Sequence, residues 1–359
     1  MMGLEDIYQG AFKKYLEMLA PGTVFRIGVE NILQANTGGL IVVGDSPELM
    51  GIVNGGFHID CEFSPARIYE LAKMDGAIIT NHDASRILKA NVQLSPDSAL
   101  PSNETGIRHR TAQRVARQTG ELVVAISQRR KQVTLYQGNI TFRLRDLNSI
   151  LVKANQALQT LEKHRNVLGR ELHRLSGLEF EDMVTVSEVC EVLKRAVKVL
   201  RIAREIECYI VELGVEGRLV KMQLDEMVAN VAEEAVYIVQ DYYHHQGKSP
   251  RDIVAELRRA FEEDLSDTLF IARALGLGSA SSHLEQQVAP RGYRMLQRLP
   301  RIPVSIIANL VERFGLLSNI LRATIAELDD VEGIGEVRAK YIKNGLKRMQ
   351  EQLLMEYMV

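Results

Sequence analysis

The sequence predicts an α/β N-terminal domain, a mixed sheet flanked by helices, then an all-α middle domain and an all-α C-terminal domain. Three observations lead there. Up to about residue 146, short apolar and β-branched runs alternate with stretches of helical spacing. From 147 to 289, apolar residues recur at near-heptad spacing with charges between them, and proline is scarce. Residues 290–359 then carry glycine turns between short helical patterns. A chain of 359 residues is long enough for two or three cores of this kind.

In the first region, apolar positions from Ile7 to Leu19 sit at helical spacing, and Pro21-Gly22-Thr23 ends that pattern. A second helix runs to about Asn36. Gly38-Gly39 then opens the buried strand Leu40-Ile41-Val42-Val43. Ser64-Pro65 starts a helix, with Ser64 as N-cap and Pro65 in the first turn, ending near Met74. Ala77 to Ile79 and Ile87 to Leu94 read as strands, Arg108 to Gln118 as a basic helix, and Leu122 to Ile126 and Val133 to Tyr136 as strands. In the middle region, helices are expected over Leu147–Leu175, Val186–Leu213 and Leu219–Tyr243. Its chemistry is blank, and packing or oligomerisation suits it. The Gly/Ser/Gln-rich stretch 276–290 reads as a linker.

Composition narrows the function. The net charge of −2 creates no general field toward nucleic acid, so contact with DNA needs a local patch. Residues 291–359 supply one candidate, with 11 Lys and Arg against 8 Asp and Glu. Three cysteines without a Cys-x-x-Cys pair argue against a disulfide framework or zinc site. No signal-like N-terminus or long apolar span is visible, so a cytoplasmic protein with no membrane contact is expected.

Two short motifs carry chemistry in the first region. Asp75-Gly76-Ala77 stands at a helix-to-strand junction, where Gly76 would let a ligand approach the backbone and Asp75 offers a carboxylate beside it. That carboxylate can hold a metal or draw a proton from a ribose hydroxyl. Gly106-Ile107-Arg108-His109-Arg110-Thr111 stands at a loop-to-helix junction, where unpaired N–H groups attract phosphate. Arg108 and Arg110 add forked donors, and His109 can bind a metal or donate hydrogen bonds. Ser127 ends a strand and is followed by Arg129-Arg130. Singly, these motifs fit a turn and a solvated basic face. Together they read as a polyphosphate site.

Asp75-Gly76-Ala77 followed by Arg108-His109-Arg110 resembles the paired signature of diadenylate cyclase domains. Leu71-Ala72-Lys73-Met74, Ala90-Asn91-Val92 and Glu104-Thr105-Gly106 resemble the DNA integrity scanning (DisA) branch of that family. The resemblance implies a nucleotidyltransferase that joins two ATP into cyclic di-AMP across two facing subunits, with Mg²⁺ or Mn²⁺. It implies that Asp75 activates the 3′-hydroxyl or helps to hold the metal, and that His109 contacts phosphate or metal. Gly76 and Ala77 would form a backbone wall, and Leu94 would offer its backbone to adenine. Gly106, Ile107, Arg108, Arg110, Thr111, Ser127, Arg129 and Arg130 would complete the ATP site. It implies a large homo-oligomer, an octamer. Ile107 and Gln128 depart from the pattern, which often has Thr and Arg there. The alternative is a DNA-binding scaffold or nucleotide sensor with an inactive site.

Near the C-terminus, Val331 to Ile342 resembles a helix-hairpin-helix motif, with Gly333 and Gly335 in the turn and Ile334 as an inward peg. N–H groups from Gly333 to Val337 would meet a DNA phosphate, with Arg338 and Lys340 adding charge. Phe314-Gly315-Leu316-Leu317 resembles the turn of a first, degenerate hairpin. DNA, bound without base specificity, is therefore an expected partner, and the family resemblance implies branched junctions in particular.

Overall fold

The computed structural model describes residues 8, 10, 12–244, 247–260 and 268–356. By its internal contacts the chain divides into two compact units, one of Met1–Asn155 with Glu207–Lys221, the other of Gln156–Ile206 with Met222–Val359.

The first unit begins with helices α1 (Lys13–Met18) and α2 (Val24–Gln34), the latter capped by the Thr23 hydroxyl. The expected Ile7–Leu19 helix is seen as α1; Ile7 itself lies outside the described residues. Then follow β1 (Gly39–Val43), α3 (Pro47–Met50), β2 (Val53–Asn54), β3 (Phe57–Glu62), α4 (Pro65–Leu71), β4 (Ala77–Thr80) and β5 (Arg86–Leu94). Helix α5 (Ile107–Thr119), β6 (Leu122–Ser127), β7 (Gln132–Gln137) and β8 (Ile140–Arg143) complete the series. Ser64 caps α4, as its place before Pro65 predicts. Among the described residues the strands form one sheet in the order β2-β5-β4-β1-β6-β7-β8, with β3 also on β5. Only β1 and β4 pair in parallel; the other pairs are antiparallel.

Alternation along the central strands explains the two layers. Ile41, Val43, Ile78, Val124 and Ile126 face a core with α2 and α4, built on Val29, Ile32, Ile68 and Ala72. Leu40, Val42, Ile79, Val123 and Ala125 face Ala112, Val115 and Ala116 of α5. Burial on both faces is why β1 and β6 read as unbroken apolar runs. Strands β2, β3 and β8 were not expected from the sequence. Most side chains of β3 are exposed, so its segment lacks the apolar signature.

The remainder is helical: α6 (Leu147–Glu181), α7 (Val186–Leu213), a 3₁₀ turn at Gly214–Gly217, α8 (Arg218–Val228), α9 (Val231–Tyr242), α10 (Pro250–Ala260) and α11 (Thr268–Leu275). Beyond these come α12 (Tyr293–Gln297), α13 (Val304–Phe314), α14 (Leu317–Arg322), α15 (Ile325–Asp329) and α16 (Glu336–Glu356). Three expectations need correction. The first long helix continues past Leu175 to Glu181. The helix expected over Leu219–Tyr243 is two helices, because Asn230 adopts a left-handed conformation at φ 65° between them. The 276–290 stretch is also not a free linker. Gln287 pairs with Thr185, and the N–H groups of Val186 and Ser187 bond to the carbonyls of Gln286 and Leu284.

Within the second unit, α12 is tied to the helices before it by buried charge. Asp241 accepts from the N–H groups of Gly292, Tyr293 and Arg294 at 2.7, 2.7 and 3.0 Å. The Arg294 side chain is fully buried and pairs with buried Glu179, with Glu234, and with the Ser176 hydroxyl. Helix α12 and the helices it bonds to belong to one compact unit.

Candidate nucleotide site

The sheet register brings the two motifs to one end of the first unit. Ala77 opens β4 opposite Val92 near the end of β5. Parallel pairing of Ile41 with Ile78 places the start of β1 beside it, and Gly39 pairs with Ile126 at the end of β6. Asp75, Gly76, Ala77, Leu94, Ser127, Arg129 and Arg130 thus share one sheet end. It combines the amino ends of β1 and β4 with the carboxyl ends of β5 and β6. Arg129 and Arg130 are exposed in the β6–β7 turn, where the Arg130 N–H bonds to the Ser127 hydroxyl at 3.2 Å.

Gly76 serves a different purpose from the one its sequence context suggested. A Cβ there would collide with the backbone of Asn91, not with a space left for a ligand. Strand β5 has one residue more than β4 across this point, since Ala77 faces Val92 while Ile79 faces Lys89. Asn91 lies in this bulge at φ 54°, a region that asparagine tolerates better than most residues. Its side-chain oxygen accepts the Gly76 N–H at 3.1 Å. Asp75, exposed next door, makes no ion pair among the described residues.

The second motif builds the first turn of α5. Gly106 is its N-cap and supplies no side-chain cap, so the leading N–H groups stay open. That turn contains no acid and instead carries Arg108, His109 and Arg110. Cations at a helix start oppose the helix dipole, an arrangement that an incoming anion relieves. The Arg108 guanidinium lies over Gly38, which brings this helix start to the same sheet end. Gly38 was read only as a strand opener, yet a Cβ on it would strike Arg108. Arg110 turns back toward the carbonyls of Glu104 and Thr105 at 3.4 and 3.3 Å. Thr111 is partly exposed and Ile107 is 83% exposed, so Ile107 contributes its backbone and leaves an apolar side chain outside.

His109 has one nitrogen satisfied and one not. Its Nδ1 lies 2.9 Å from the hydroxyl of buried Tyr136, while its buried Nε2 has no partner. Burial holds its pKa below the usual value, opposed by Glu104 and aided by Arg130, Arg108 and Arg143. A divalent cation fits this donor set only with help. No group of three or more His, Cys, Asp or Glu side chains able to hold a metal occurs among the described residues. A divalent cation here would depend largely on substrate phosphates, with Asp75 and His109 as the protein groups to hold it.

Two family models match the chain: the nucleotide-binding domain of the DisA bacterial checkpoint controller over residues 26–141, and the linker region of the same controller over residues 144–284. Full-length relatives agree. The DNA integrity scanning protein DisA of Carboxydothermus hydrogenoformans is 57% identical over 94% of this chain and 96% of its own. That of Symbiobacterium thermophilum is 54% identical over 98% and 99%, and that of Bacillus subtilis 52% over 94% and 93%. This chain belongs to the DisA family. As a DisA protein with that nucleotide-binding domain, it is a diadenylate cyclase, a nucleotidyltransferase. Tyr136, Asn91 and Gly38 each lie against a residue of these motifs. Sequence reading passed over them because each acts on a motif residue across a strand or helix, not within the motif.

In the second unit, the residues read as a DNA contact form a tight turn between α15 and α16. Ile334 is 7% exposed and Ala339 and Ile342 are fully buried, as an inward peg and close packing require. Gly333 sits at φ 83°, which only glycine takes without strain, whereas a Cβ on Gly335 would meet open space. Arg338 bonds back to the Gly333 carbonyl, and Lys340 pairs with Glu336 across one turn. Val337 is exposed. Upstream, α13 ends at Gly315 (φ 74°) and α14 begins at Leu317, the turn expected at Phe314–Leu317. No helix among the described residues is long and apolar enough to cross a membrane.

Proposed function

We propose that each N-terminal domain holds one ATP at this sheet end and that two such domains, facing one another, close cyclic di-AMP between them. The observation that carries the reading is the open, acid-free start of α5, whose Arg108 lies over Gly38 at the sheet end that also holds the Asp75 loop. The open N–H groups, Arg108, Arg129 and Arg130 hold phosphate oxygens. Ala77 and Gly76 form the backbone wall beside the ribose, and Leu94 offers its backbone to adenine. Asp75 takes the proton of the 3′-hydroxyl or shares in holding the cation. The 3′-oxygen attacks the α-phosphorus of the partner's ATP and pyrophosphate leaves. The reciprocal attack closes the ring, so two ATP give one cyclic di-AMP and two pyrophosphates. Asp75 and His109 are the side chains to hold Mg²⁺ or Mn²⁺, which supplies charge neutralisation at the phosphates when bound.

On this reading ring closure needs assembly, since each site holds one nucleotide. A symmetric octamer, with the long helices as its spine, meets that need. The two hairpin-like turns of the second unit form a tandem helix-hairpin-helix module. It binds DNA, branched DNA in particular, through phosphates, and that engagement regulates turnover. Gly335 supports this, because no neighbour among the described residues demands a glycine there.

The test is incubation of the purified protein with ATP and Mg²⁺ or Mn²⁺, with products separated and weighed by mass spectrometry. Cyclic di-AMP and pyrophosphate in a 1:2 ratio are expected, with turnover lost and ATP binding kept in Asp75→Asn. Unchanged ATP under both metals would overturn the proposal.

A further inference from the structure

We infer that Gln113 is a positioning residue: from within α5 it holds the strap of chain 95–105, and the strap sets the span between the Leu94 backbone and the start of α5. The inference rests on the functional reading above for where adenine and phosphates lie, but not for the strap itself.

The strap joins the end of β5 to Gly106, so its two ends are two sides of the candidate nucleotide site. At the first end Leu94 pairs with Val53, and the Ser95 N–H bonds to the Ile52 carbonyl at 2.9 Å. At the other, Gly106 is the N-cap of α5. Between them the chain forms no helix or strand, so its N–H and C=O groups need partners elsewhere. Side chains along one side of α5 supply them, in broadly antiparallel order. Gln118 accepts the Asp97 N–H at 2.9 Å. Arg114 donates to the Leu100 carbonyl at 2.9 Å, and Arg117 to that of Pro101. Gln113 accepts from the Ser102 hydroxyl at 2.6 Å and from the Asn103 N–H at 3.1 Å. Arg110 closes the row at the Glu104 and Thr105 carbonyls. The basic side of α5, which its sequence suggested for solvent or phosphate, is here largely spent on the strap.

Gln113 differs from these arginines in being buried. The bonds of Arg110 and Arg117 lie at the surface, where water can replace them. A backbone N–H can only donate, so the Gln113 oxygen faces Asn103 and Ser102. Its amide nitrogen is left to donate to the Thr141 hydroxyl of β8 at 3.5 Å. One side chain thus fixes the strap against both α5 and the sheet. Loss of a bond shielded from water costs more than loss of an exposed one. A strap held this way presents the Leu94 backbone and the open N–H groups of α5 at a set distance before ATP arrives. Such preorganisation raises affinity for a ligand that spans both ends, and does nothing for one that uses a single end.

The test compares ATP, which spans the strap, with tripolyphosphate, which uses the α5 end alone. The full chain is titrated calorimetrically with a non-hydrolysable ATP analogue and with tripolyphosphate. Deuterium uptake by the 95–106 amides is followed without ligand. Gln113→Met keeps the side-chain length and removes the acceptor. It should speed strap exchange and weaken the ATP analogue about tenfold, the scale of one lost hydrogen bond, while tripolyphosphate binding changes by less than about twofold. In turnover, KM for ATP should rise and kcat stay near wild type, the pattern of lost uniform binding. Gln113→Glu still accepts both bonds, so it should keep wild-type exchange and affinity. Ser102→Ala breaks the same contact from the strap side without touching the packing of α5. It should act in the same direction, and it carries the test if Gln113→Met folds poorly. Unchanged strap exchange in Gln113→Met and Ser102→Ala, an equal loss for both ligands, a fall in kcat at constant KM, or a Gln113→Glu chain as weak as Gln113→Met would overturn the inference. A wild type that binds neither ligand would overturn the proposed function, and the strap's role in nucleotide binding with it, while exchange would still report the hold of Gln113.

Discussion

Asn91 holds Gly76 from two directions: its side-chain oxygen accepts the Gly76 N–H at 3.1 Å, and its backbone fills the space a Cβ on Gly76 would need. The Asp75 loop is therefore set by a bulge on the neighbouring strand. Gly76→Ala must push β4 and β5 apart beside Asp75. Displacement of a reacting group by about 1 Å can cost on the order of 100-fold in rate. Cyclic di-AMP formation should fall by about that much in Gly76→Ala. Asn91→Gly keeps the left-handed backbone and loses only the acceptor, so its loss should be smaller. Initial rates of both variants, measured together, check the order.

Gly38→Ala should act on binding rather than on folding. The new methyl group meets chiefly the far end of the Arg108 side chain, which can swing aside, and also comes within 3.1 Å of the Ile126 carbonyl oxygen. Stability should fall by no more than about 1 kcal/mol, the centre of the range for point substitutions. Affinity for ATP should drop about tenfold, near the loss of one charge-assisted hydrogen bond. Calorimetric titration with a non-hydrolysable ATP analogue, beside a thermal melt, separates the two quantities.

These residues mark the limit of what the sequence made legible. The apolar runs at Leu40–Val43 and Leu122–Ile126, the Ser64-Pro65 cap and the α7 boundaries at Val186 and Leu213 all followed from local pattern and appear as expected. The grouping of Asp75 with the α5 start came instead from the paired motifs and the family resemblance. What local pattern does not contain is pairing across elements. Strand β3 is largely exposed, Asn230 breaks a helix whose apolar spacing continues through it, and Tyr136 looks like one more aromatic in a strand. The 276–290 stretch has the composition of a linker, yet its backbone bonds to residues 184–187. Composition reports flexibility only when no partner strand is waiting.

The acid side of the pH profile should follow His109. Burial lowers its pKa in the folded protein below the ordinary 6.5, with Arg130, Arg108 and Arg143 acting in the same direction against Glu104. Below pH 6.5 the unfolded chain takes up a proton that the folded site refuses. Stability should therefore fall as pH drops from 6.5 through the lower folded value, and should be flat in this respect above 6.5. kcat/KM should show an acid limb with its midpoint below 6.5, because a protonated imidazole has no lone pair. His164 is also held low, by burial and by Lys198 and Arg195, and adds to the stability slope alone. His109→Gln should reduce the slope of melting temperature against pH, and His164→Gln should leave the kcat/KM limb in place.

Arg294 should be among the most sensitive positions of the second unit. Its guanidinium is fully buried against Glu179, which also accepts from the Tyr242 hydroxyl at 2.8 Å. Arg294→Met leaves Glu179 buried without its counter-charge. Removing one partner of such a pair costs about 3–5 kcal/mol. Urea unfolding should show that loss. Changing Glu179→Leu in the same chain should restore much of it, because the unpaired charge goes too. A double variant as unstable as the single would mean that the loss comes from packing and not from charge.

The two glycines of the last turn should separate folding from DNA binding. Gly333 sits at φ 83°, so Gly333→Ala strains the turn by about 1–2 kcal/mol and disturbs the seat of Ile334. Gly335 has neither a left-handed backbone nor a neighbour within reach of a Cβ. Gly335→Ala should therefore leave the melting temperature of the protein unchanged. If the start of α16 approaches a DNA phosphate closely, that methyl group will stand between them, and affinity for a four-way junction should fall about tenfold or more. The loss should be the same on junctions of different sequence, because phosphate contacts do not read bases. Fluorescence anisotropy over a range of salt concentrations measures both effects. Wild-type affinity in Gly335→Ala would move the DNA contact away from this turn, toward surface charges such as Arg301 or Lys347.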